Sequence, residues 1–250
     1  MTKVIDNISV IIIASNEEKN IKRCLNSLSL FKEVIVYLND SFDSTKNIIS
    51  SFSNVNIFNG PFLGFSKTKE KAISKSSNDW VLIIDSDEVV DSHLINSITN
   101  ISLDNSYVYK FRRKTFYKGK QINFCGMYNE TIIRLFNQKI TGLNNTLVHE
   151  TVMQKQLNSK LLDGQIKHYS YSSISDLIQK TDSYSSLYSD QHNKYSSPLI
   201  AIIKSLFCFL KVYIFQLGFL DGYVGFLISY SFANGVFYKY LKLYEKRQDI

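Results

Sequence analysis

The sequence predicts an α/β fold: a mostly parallel sheet flanked by helices, with a C-terminal helical extension. Three observations support this prediction. Short apolar runs rich in β-branched residues alternate with helical patterns up to about residue 104. Such alternation is typical of parallel strands joined by right-handed crossovers. Strand patterns then follow one another, and from Ile174 onwards the pattern is helical.

Four buried strands are predicted in the first part of the chain, at residues 8–13, 34–38, 55–58 and 80–84. Each is a nearly unbroken apolar run, as expected for strands covered on both faces. The segments between them have helical spacing: Ile21, Leu25 and Leu28 in the first, then residues 44–53 and 65–76. Two further strands are predicted at 107–117 and 131–136. The chain therefore divides into residues 1–172, with a change of pattern near 104, and a helical region, 173–250.

Composition narrows the class of protein. With 44% hydrophobic residues in 250, the chain can bury a substantial core and is not disordered in type. The three cysteines are far apart and form no C-x-x-C pair, so neither a disulfide framework nor a zinc site is predicted. This favours a reducing compartment. The N-terminus runs directly into a core strand and lacks the pattern of a signal peptide. We therefore expect a cytoplasmic protein.

The net charge of +7 is concentrated in two basic groups. The first is Lys110, Arg112, Arg113, Lys114, Lys118 and Lys120; the second is Lys239, Lys242, Lys246 and Arg247. The second group lies among aromatic residues, which favours a membrane surface over nucleic acid as the partner. An ordinary solvated face remains the alternative.

The last fifty residues are predicted to form two apolar helices, 199–247, interrupted at 218–222. A membrane span needs roughly 20 apolar residues. Lys204, Lys211 and Asp221 interrupt the first of these stretches. We expect the helices to lie against the inner face of the cell membrane, with packing on the protein's own core as the alternative.

Polar segments follow three of the predicted strands. They are Ser15-Asn16-Glu17, Asn39-Asp40-Ser41 and Asp85-Ser86-Asp87. Ligands of such sheets bind beyond the carboxyl ends of the strands, so these segments are predicted to meet at one site. The paired carboxylates of Asp85 and Asp87 suit Mg²⁺ or Mn²⁺, which would neutralise a departing diphosphate.

The segment after the first strand is predicted to begin a helix. Ser15 and Glu18 have the spacing of a capping box, and a capped helix N-terminus attracts anions. The polar side chains here can also bind a base or ribose. No G-x-G-x-x-G follows the strand, which argues against a dinucleotide-dependent dehydrogenase.

These residues carry a resemblance to a known family. The matching segments are residues 9–17, 79–88 with their Trp-x5-Asp-x-Asp-Glu pattern, Arg134-Leu135-Phe136, Val148-His149-Glu150, and 220–225. Together they resemble glycosyltransferase family 2, in particular its lipopolysaccharide-core β-1,4-glucosyltransferase-like subgroup. The similarity extends over most of the chain.

The resemblance implies a GT-A fold, with residues 1–172 as the catalytic domain, 1–104 as its nucleotide-sugar half and 105–172 as its acceptor half. It implies an inverting transfer from a nucleoside-diphosphate sugar, with uridine the expected nucleoside, to a saccharide or lipid-linked oligosaccharide. The residues expected to bind the nucleotide sugar are Ala14, Ser15, Asn16, Glu17, Asn39, Asp40, Lys67, Lys71, Asp85, Ser86 and Arg134.

The resemblance also implies the residues of the chemical step. Asp87 is the expected main ligand of a divalent Mn²⁺ or Mg²⁺, with Asp85 near the ribose or the metal. Apart from the resemblance, His168 is a candidate third contact to the metal or a phosphate, with a structural histidine as the alternative. An inverting transfer needs one base opposite the leaving group. Glu150 is the best positional match, with His149 orienting it; His149 itself is the rival base.

Two departures from the family pattern stand beside this match. Leu38 occupies the position of an aspartate in the family, so its neighbours Asn39 and Asp40 are the candidates for base recognition. The family's Gln-Arg-Asn reads Thr68-Lys69-Glu70, and Lys67, Lys69 or Lys71 can face phosphate. The sequence leaves two alternatives, a nucleotidyltransferase and a non-catalytic membrane-associated protein that keeps the fold. A nucleotidyltransferase would normally show a glycine-rich basic loop after the first strand.

Overall fold

The computed structural model of the chain describes residues 3–144, 151–154 and 156–248. Its strands are β1 Ile5–Ala14, β2 Phe31–Leu38, β3 Val55–Asn59, β4 Trp80–Ile83, β5 Glu88–Val90, β6 Tyr107–Tyr117, β7 Lys120–Gln121, β8 Thr131–Asn137 and β9 Asn158–Tyr171. Its helices are α1 Ile21–Ser27, α2 Thr45–Ile49, α3 Phe65–Ile73, α4 Ser92–Asn100, α5 Ile174–Gln191, α6 Pro198–Leu210 and α7 Tyr223–Gln248. A π-helical turn, Lys211–Phe215, and a 3₁₀ turn, Gly218–Asp221, connect α6 to α7.

The strands form one mixed sheet in the order β3-β2-β1-β4-β8-β6-β9-β5, with β7 paired to β6. The neighbouring pairs β3–β2, β2–β1 and β1–β4 are parallel, and β8 joins β4 antiparallel. The parallel strands carry the long apolar runs, since they are covered on both faces. The predicted α/β class with a C-terminal helical region is confirmed, and the parallel pairs join the first four strands of this order.

Alternation along β1 divides the core into two layers. Val10 and Ile12 face a cluster that includes residues of α1, α2 and α4, whereas Ile11 and Ile13 face a cluster that includes α3. Successive side chains of a strand point to opposite faces, so an unbroken apolar run supplies both layers at once. This arrangement fixes β1 and β4 firmly, and with them the loops at their carboxyl ends.

The chain separates into two compact units. The first comprises Met1–Arg113 and Asn129–His168, and the second Lys114–Tyr128 and Tyr169–Ile250. The first unit contains the parallel part of the sheet and the three predicted polar loops. The second contains α5, α6 and α7.

The second unit has a small core of its own around Leu177, Val212 and Ile228. Within it the 220–225 motif has a structural explanation. Asp221 is buried and its carboxylate accepts hydrogen bonds from the backbone N–H groups of Asn123 and Phe124, at 3.0 and 2.8 Å for Oδ2. The motif therefore anchors a neighbouring loop of the same unit.

The C-terminal basic group is engaged inside the second unit. Lys242 binds Asp182 at 2.6 Å, and Lys246 donates to the carbonyl oxygen of Ser189 at 3.0 Å. Lys239 and Arg247 lie over the rings of Tyr188 and Tyr195. These cations attach α7 to its neighbours, because the helix brings them against α5 and the segment after it. The contact of this group with a membrane surface stays a prediction.

One helical window among the described residues, Pro198–Phe215, is long and apolar enough to cross a membrane by length and composition alone. It covers α6 and the π-helical turn. Its 18 residues have a mean hydropathy of 1.9, and only 11% of the window is buried.

Candidate active site

The loops that follow β1 and β2 are joined by hydrogen bonds. Asn16 N–H donates to Ser41 Oγ at 3.0 Å, and Asn16 Oδ1 accepts from Phe42 N–H at 2.9 Å. Ser15 Oγ donates to the Asp40 carbonyl at 3.4 Å. Asn16 and Asp40 both have positive φ, at 53° and 39°, which turns the backbone sharply after each strand. Two of the three predicted loops are thus one connected feature.

The predicted capping box is wrong. Helix α1 begins at Ile21 with Asn20 as its N-cap, and no side-chain cap hydrogen bond is formed there. Glu18 instead accepts from the backbone N–H of Ser44 at 3.2 Å, and Glu17 N–H donates to Thr45 Oγ1 at 2.8 Å. The side chains with capping-box spacing bind the neighbouring loop, because residues 18–20 form a turn before the chain becomes helical at Ile21.

The other predicted nucleoside-binding residues lie at the same ends of the strands. Ala14 and Asn39 are buried, and Asn39 N–H donates to the Ala14 carbonyl at 3.0 Å. Glu17 is exposed to an intermediate degree. The candidates for base recognition therefore cluster on adjacent strands, as predicted from the parallel arrangement.

Asp85 lies between two cations at the end of β4. Lys69 Nζ contacts its Oδ1 at 2.7 Å, and Arg134 NH2 contacts its Oδ2 at 2.6 Å. Burial of the carboxyl group opposes its ionisation, but Arg134 and then Lys69 outweigh burial and hold the pKa of Asp85 well below its usual value. Both carboxylate oxygens of Asp85 are thus engaged within the protein.

The turn Asp85–Glu88 is closed twice. Glu88 N–H donates to the Asp85 carbonyl at 2.9 Å, and Asp85 N–H donates to Glu88 Oε2 at 3.0 Å. Glu88 is fully buried, and its other oxygen lies 3.3 Å from Arg134 NH2 and 3.7 Å from Arg113 NH1. A buried carboxylate needs such partners, since an uncompensated charge in the interior is very costly. Two hydrogen bonds therefore hold the turn, and Ser86 and Asp87 within it are both buried.

Arg113 extends the chain of charges. Its guanidinium makes a two-pronged contact with Glu130, from Nε at 3.0 Å and from NH2 at 2.6 Å. We call the six residues that alternate in sign in this way the charge network; they are Lys69, Asp85, Glu88, Arg113, Glu130 and Arg134. It holds three cations and three carboxylates, so its charges balance.

Asp87 lies beside a histidine. His168 Nε2 is 3.3 Å from Asp87 Oδ2. Burial lowers the pKa of the imidazole, but Asp87 outweighs burial and raises the pKa above its usual value. His168 is brought there by β9, which pairs antiparallel with β5 so that His168 lies opposite Glu88. Two of the three predicted metal ligands are thus adjacent.

These residues can be tested against the needs of a divalent cation. Among the residues that the structure describes, no three His, Cys, Asp or Glu side chains group as a metal site. Mg²⁺-like cations in phosphate-transfer sites, however, use one or two protein ligands and complete their shell with water and substrate phosphates. An imidazole nitrogen and a carboxylate oxygen 3.3 Å apart suit two adjacent positions of that shell. Asp87 and His168 fit such a cation, while Asp85 is engaged by Lys69 and Arg134.

The lysines of α3 separate into two kinds. Lys67 and Lys71, the predicted phosphate-binding pair, are exposed. Lys69 is 2% exposed, on the inward face of the helix with Ala72 and Ile73. The sequence signal for this was present, because Lys69 precedes Ala72 by three residues and Ile73 by four. The roles of Lys67 and Lys71 stay predictions.

The strand register explains the position of Arg134. Leu82 and Val81 of β4 lie opposite Leu135 and Phe136 of β8, so Arg134 comes at the carboxyl end of β4.

The predicted bases Glu150 and His149 lie outside the described residues. Glu88 and Glu130 were not among the predicted site residues. For Glu130 the sequence holds no local signal, since its partner is 17 residues away.

Comparisons with known proteins place the chain in a family. The family model described as "Glycosyl transferase family 2" matches residues 9–160. A glycosyltransferase of Rickettsia typhi is 33% identical, over 95% of this chain and 87% of that protein. The chain belongs to glycosyl transferase family 2. It is a glycosyltransferase with the mixed sheet of the predicted GT-A class, so the nucleotidyltransferase and the non-catalytic alternatives are set aside.

Further relatives lie at lower similarity. The lipopolysaccharide core biosynthesis glycosyltransferase LpsC of Rhizobium meliloti is 22% identical, over 96% of this chain and 92% of LpsC. Among solved structures, S. aureus TarS in complex with UDP is 14% identical with a TM-score of 0.46, covering 98% of this chain and 92% of that one.

Proposed function

We propose that this family 2 glycosyltransferase transfers a sugar, with inversion, from a nucleoside-diphosphate sugar to a saccharide acceptor of a bacterial surface glycan. The observation that supports it most strongly is the pair of differently used carboxylates at the end of β4. Asp85 is engaged by Lys69 and Arg134, and Asp87 lies with His168. Such a site presents cations and a potential metal-binding pair where the loops of neighbouring parallel strands meet.

The donor would lie along the ends of the first strands. Ser15, Asn16 and Glu17 would bind the nucleoside together with Asn39 and Asp40. Mn²⁺ or Mg²⁺ held by Asp87 and His168 would supply charge neutralisation of the diphosphate. Lys69 and Arg134 are held by Asp85 in a network that is neutral overall, so the divalent cation would supply the net positive charge that the diphosphate needs.

The transfer itself needs a base on the acceptor side. The acceptor hydroxyl would attack the anomeric carbon opposite the diphosphate, the hydroxyl proton would pass to Glu150, and the bond from the anomeric carbon to the diphosphate oxygen would break. His149 would orient Glu150, or act as the base itself. The assignment comes from the family resemblance of the Val148-His149-Glu150 segment.

The acceptor we propose is a lipopolysaccharide core or another lipid-linked oligosaccharide. The similarity to LpsC over 96% of the chain supports this class. A cytoplasmic enzyme peripheral to the inner face of the membrane would meet such an acceptor at the lipid surface. The apolar window Pro198–Phe215 supports that location.

A donor screen tests the function directly. Thermal unfolding is followed with a panel of nucleotide sugars, with and without Mn²⁺. A ligand that binds only the folded state raises the melting temperature, so the true donor stands out. We expect a uridine-diphosphate sugar to do so, and more strongly with Mn²⁺. If no nucleotide sugar raises the melting temperature, the proposal is wrong.

The base is tested by release of the nucleoside diphosphate in the presence of acceptor. Glu150→Gln should keep donor binding but reduce turnover, typically by about 10²–10⁴-fold for loss of a general base. Glu245→Gln changes an exposed carboxylate of α7 in the same way and should leave turnover unchanged. If Glu150→Gln turned over at the parental rate, another residue would be the base, and His149 would be the next to be substituted.

A further inference from the structure

Helix α6 presents a broad apolar surface. Six large apolar side chains of α6 and the π-helical turn are between 54% and 77% exposed. We call them the α6 surface; they are Leu199, Ile202, Ile203, Leu206, Phe207 and Phe215. Contiguous exposed apolar patches of this kind are rare on soluble monomers and mark interaction sites.

The packing of α6 within its own unit uses a different stripe. Ala201 and Val212 are buried, and Ser205 Oγ donates to the Ala233 carbonyl of α7 at 3.0 Å. These residues recur at the spacing of one helical face. The helix is therefore held by its inner stripe, and the α6 surface is apolar beyond what packing requires.

The charge around this surface has one sign. Lys204 and Lys211 are exposed among the apolar residues of α6 and its continuation. Between residues 191 and 244 the sequence contains a single acid, Asp221, and it is buried. Exposed charge along this stretch is thus positive, and the complementary partner is an anionic surface that also accepts apolar side chains.

We propose that the α6 surface docks into the headgroup region of a bilayer that contains anionic phospholipids. Lying in the interface, the helix inserts its apolar side chains while Lys204 and Lys211 extend their charges to the phosphates. A membrane-spanning arrangement would carry both lysines into the hydrocarbon, at considerable cost. The inner stripe would also lose its contact with α7.

This inference deepens the proposed function, since it names the lipid partner, and it rests on that function for its biological purpose. It is tested without donor or acceptor. Failure of vesicle binding would leave the donor screen intact, and failure of the donor screen would leave vesicle binding intact.

The experiment is co-sedimentation of the full chain with vesicles. One set contains equal parts phosphatidylglycerol and phosphatidylcholine, and the other phosphatidylcholine alone. The parental protein should bind the anionic vesicles and lose affinity as salt is raised. The affinity of the double variant Ile203→Ser/Phe207→Ser should fall by roughly tenfold or more, because two apolar side chains no longer insert.

Two further variants complete the test. Lys204→Gln should weaken binding to anionic vesicles roughly fivefold, the amount expected from one lysine near such a surface, and should not change binding to phosphatidylcholine. Ile178→Ser changes a residue of α5 that is 64% exposed, as Phe207 is, and should have no effect. Circular dichroism and thermal unfolding confirm that the variants remain folded.

Two results would overturn the proposal. One is equal binding of the parental protein and the Ile203→Ser/Phe207→Ser variant to anionic vesicles. The other is a lack of binding of the parental protein to anionic vesicles. A concentration-dependent dimer in sedimentation velocity that the double variant abolishes would then assign the α6 surface to self-association.

Discussion

The charge network and the α6 surface each contain groups in an unfavourable environment: charges away from solvent in the first, and large apolar side chains exposed to solvent in the second. In the network, buried and half-buried carboxylates and cations alternate, and each charge has an opposite one within 3.7 Å. On the α6 surface, large apolar side chains remain mostly in contact with solvent. The charges of the network are paired within the protein. The apolar side chains of the α6 surface would be covered only by a partner. The comparison indicates that the network organises the candidate active site, whereas the α6 surface is suited to binding a partner.

The largest expected effect is on stability, from removal of Glu88. Glu88→Ala leaves Arg134 and Arg113 without one of their carboxylates and the backbone N–H of Asp85 without its acceptor. Breaking a buried pair from one side costs about 3–5 kcal/mol. Urea denaturation should show a loss of this size in the free energy of unfolding.

The matched control is Glu70→Ala, an exposed carboxylate on α3. Its free energy of unfolding should lie within about 0.5 kcal/mol of the parental value. Equal losses in the two variants would mean that the network does not depend on Glu88, and the contrast with the α6 surface would fail.

The next effect concerns the pH dependence of metal binding. The pKa of His168 is raised, chiefly because Asp87 outweighs the burial of the imidazole. A histidine must be neutral to bind a metal. The rise in melting temperature on adding Mn²⁺ with a nucleoside diphosphate should therefore be smaller at about pH 6 than at about pH 8.

His168→Gln should remove most of this pH dependence and weaken Mn²⁺-dependent binding by about tenfold or more. His93→Gln, on α4, is the control and should behave as the parental protein does. A pH dependence that survives in His168→Gln would exclude His168 as its source.

The smallest effect is expected on the α6 surface. Phe207→Ser should change the free energy of unfolding by no more than about 0.5 kcal/mol, because this side chain is mostly solvated. In the same unit, Ile228→Ala removes a fully buried side chain and should cost about 2–5 kcal/mol. A cost for Phe207→Ser as large as that for Ile228→Ala would show that the surface is covered within the protein.

The sequence predicted the parallel half of the molecule well. The strands β1 to β4 and the loops after them follow from unbroken apolar runs that end in polar residues. The second half was predicted less completely, since β5 and β9 carry mixed sequences. Their pairing depends on contacts between residues far apart in the chain, such as Glu88 with His168. Local patterns do not encode such contacts.

The same distinction applies to the site. Asp85 and Asp87 were identified from their place after a buried strand. Their different surroundings could not be predicted, because Lys69, Arg134 and His168 arrive from three separate elements. The C-terminal basic group is a further example. Its sequence does not show that α5 lies against α7 and engages Lys242 and Lys246.

We propose that Asp87 binds the divalent cation of the donor while Asp85 holds Lys69 and Arg134. Calorimetric titration with uridine diphosphate, with and without Mn²⁺, measures it most directly. Asp87→Asn should lose the gain in affinity due to Mn²⁺, about tenfold or more, and the exposed control Asp79→Asn should keep it. If Asp87→Asn binds uridine diphosphate with the parental Mn²⁺ dependence, the claim is contradicted.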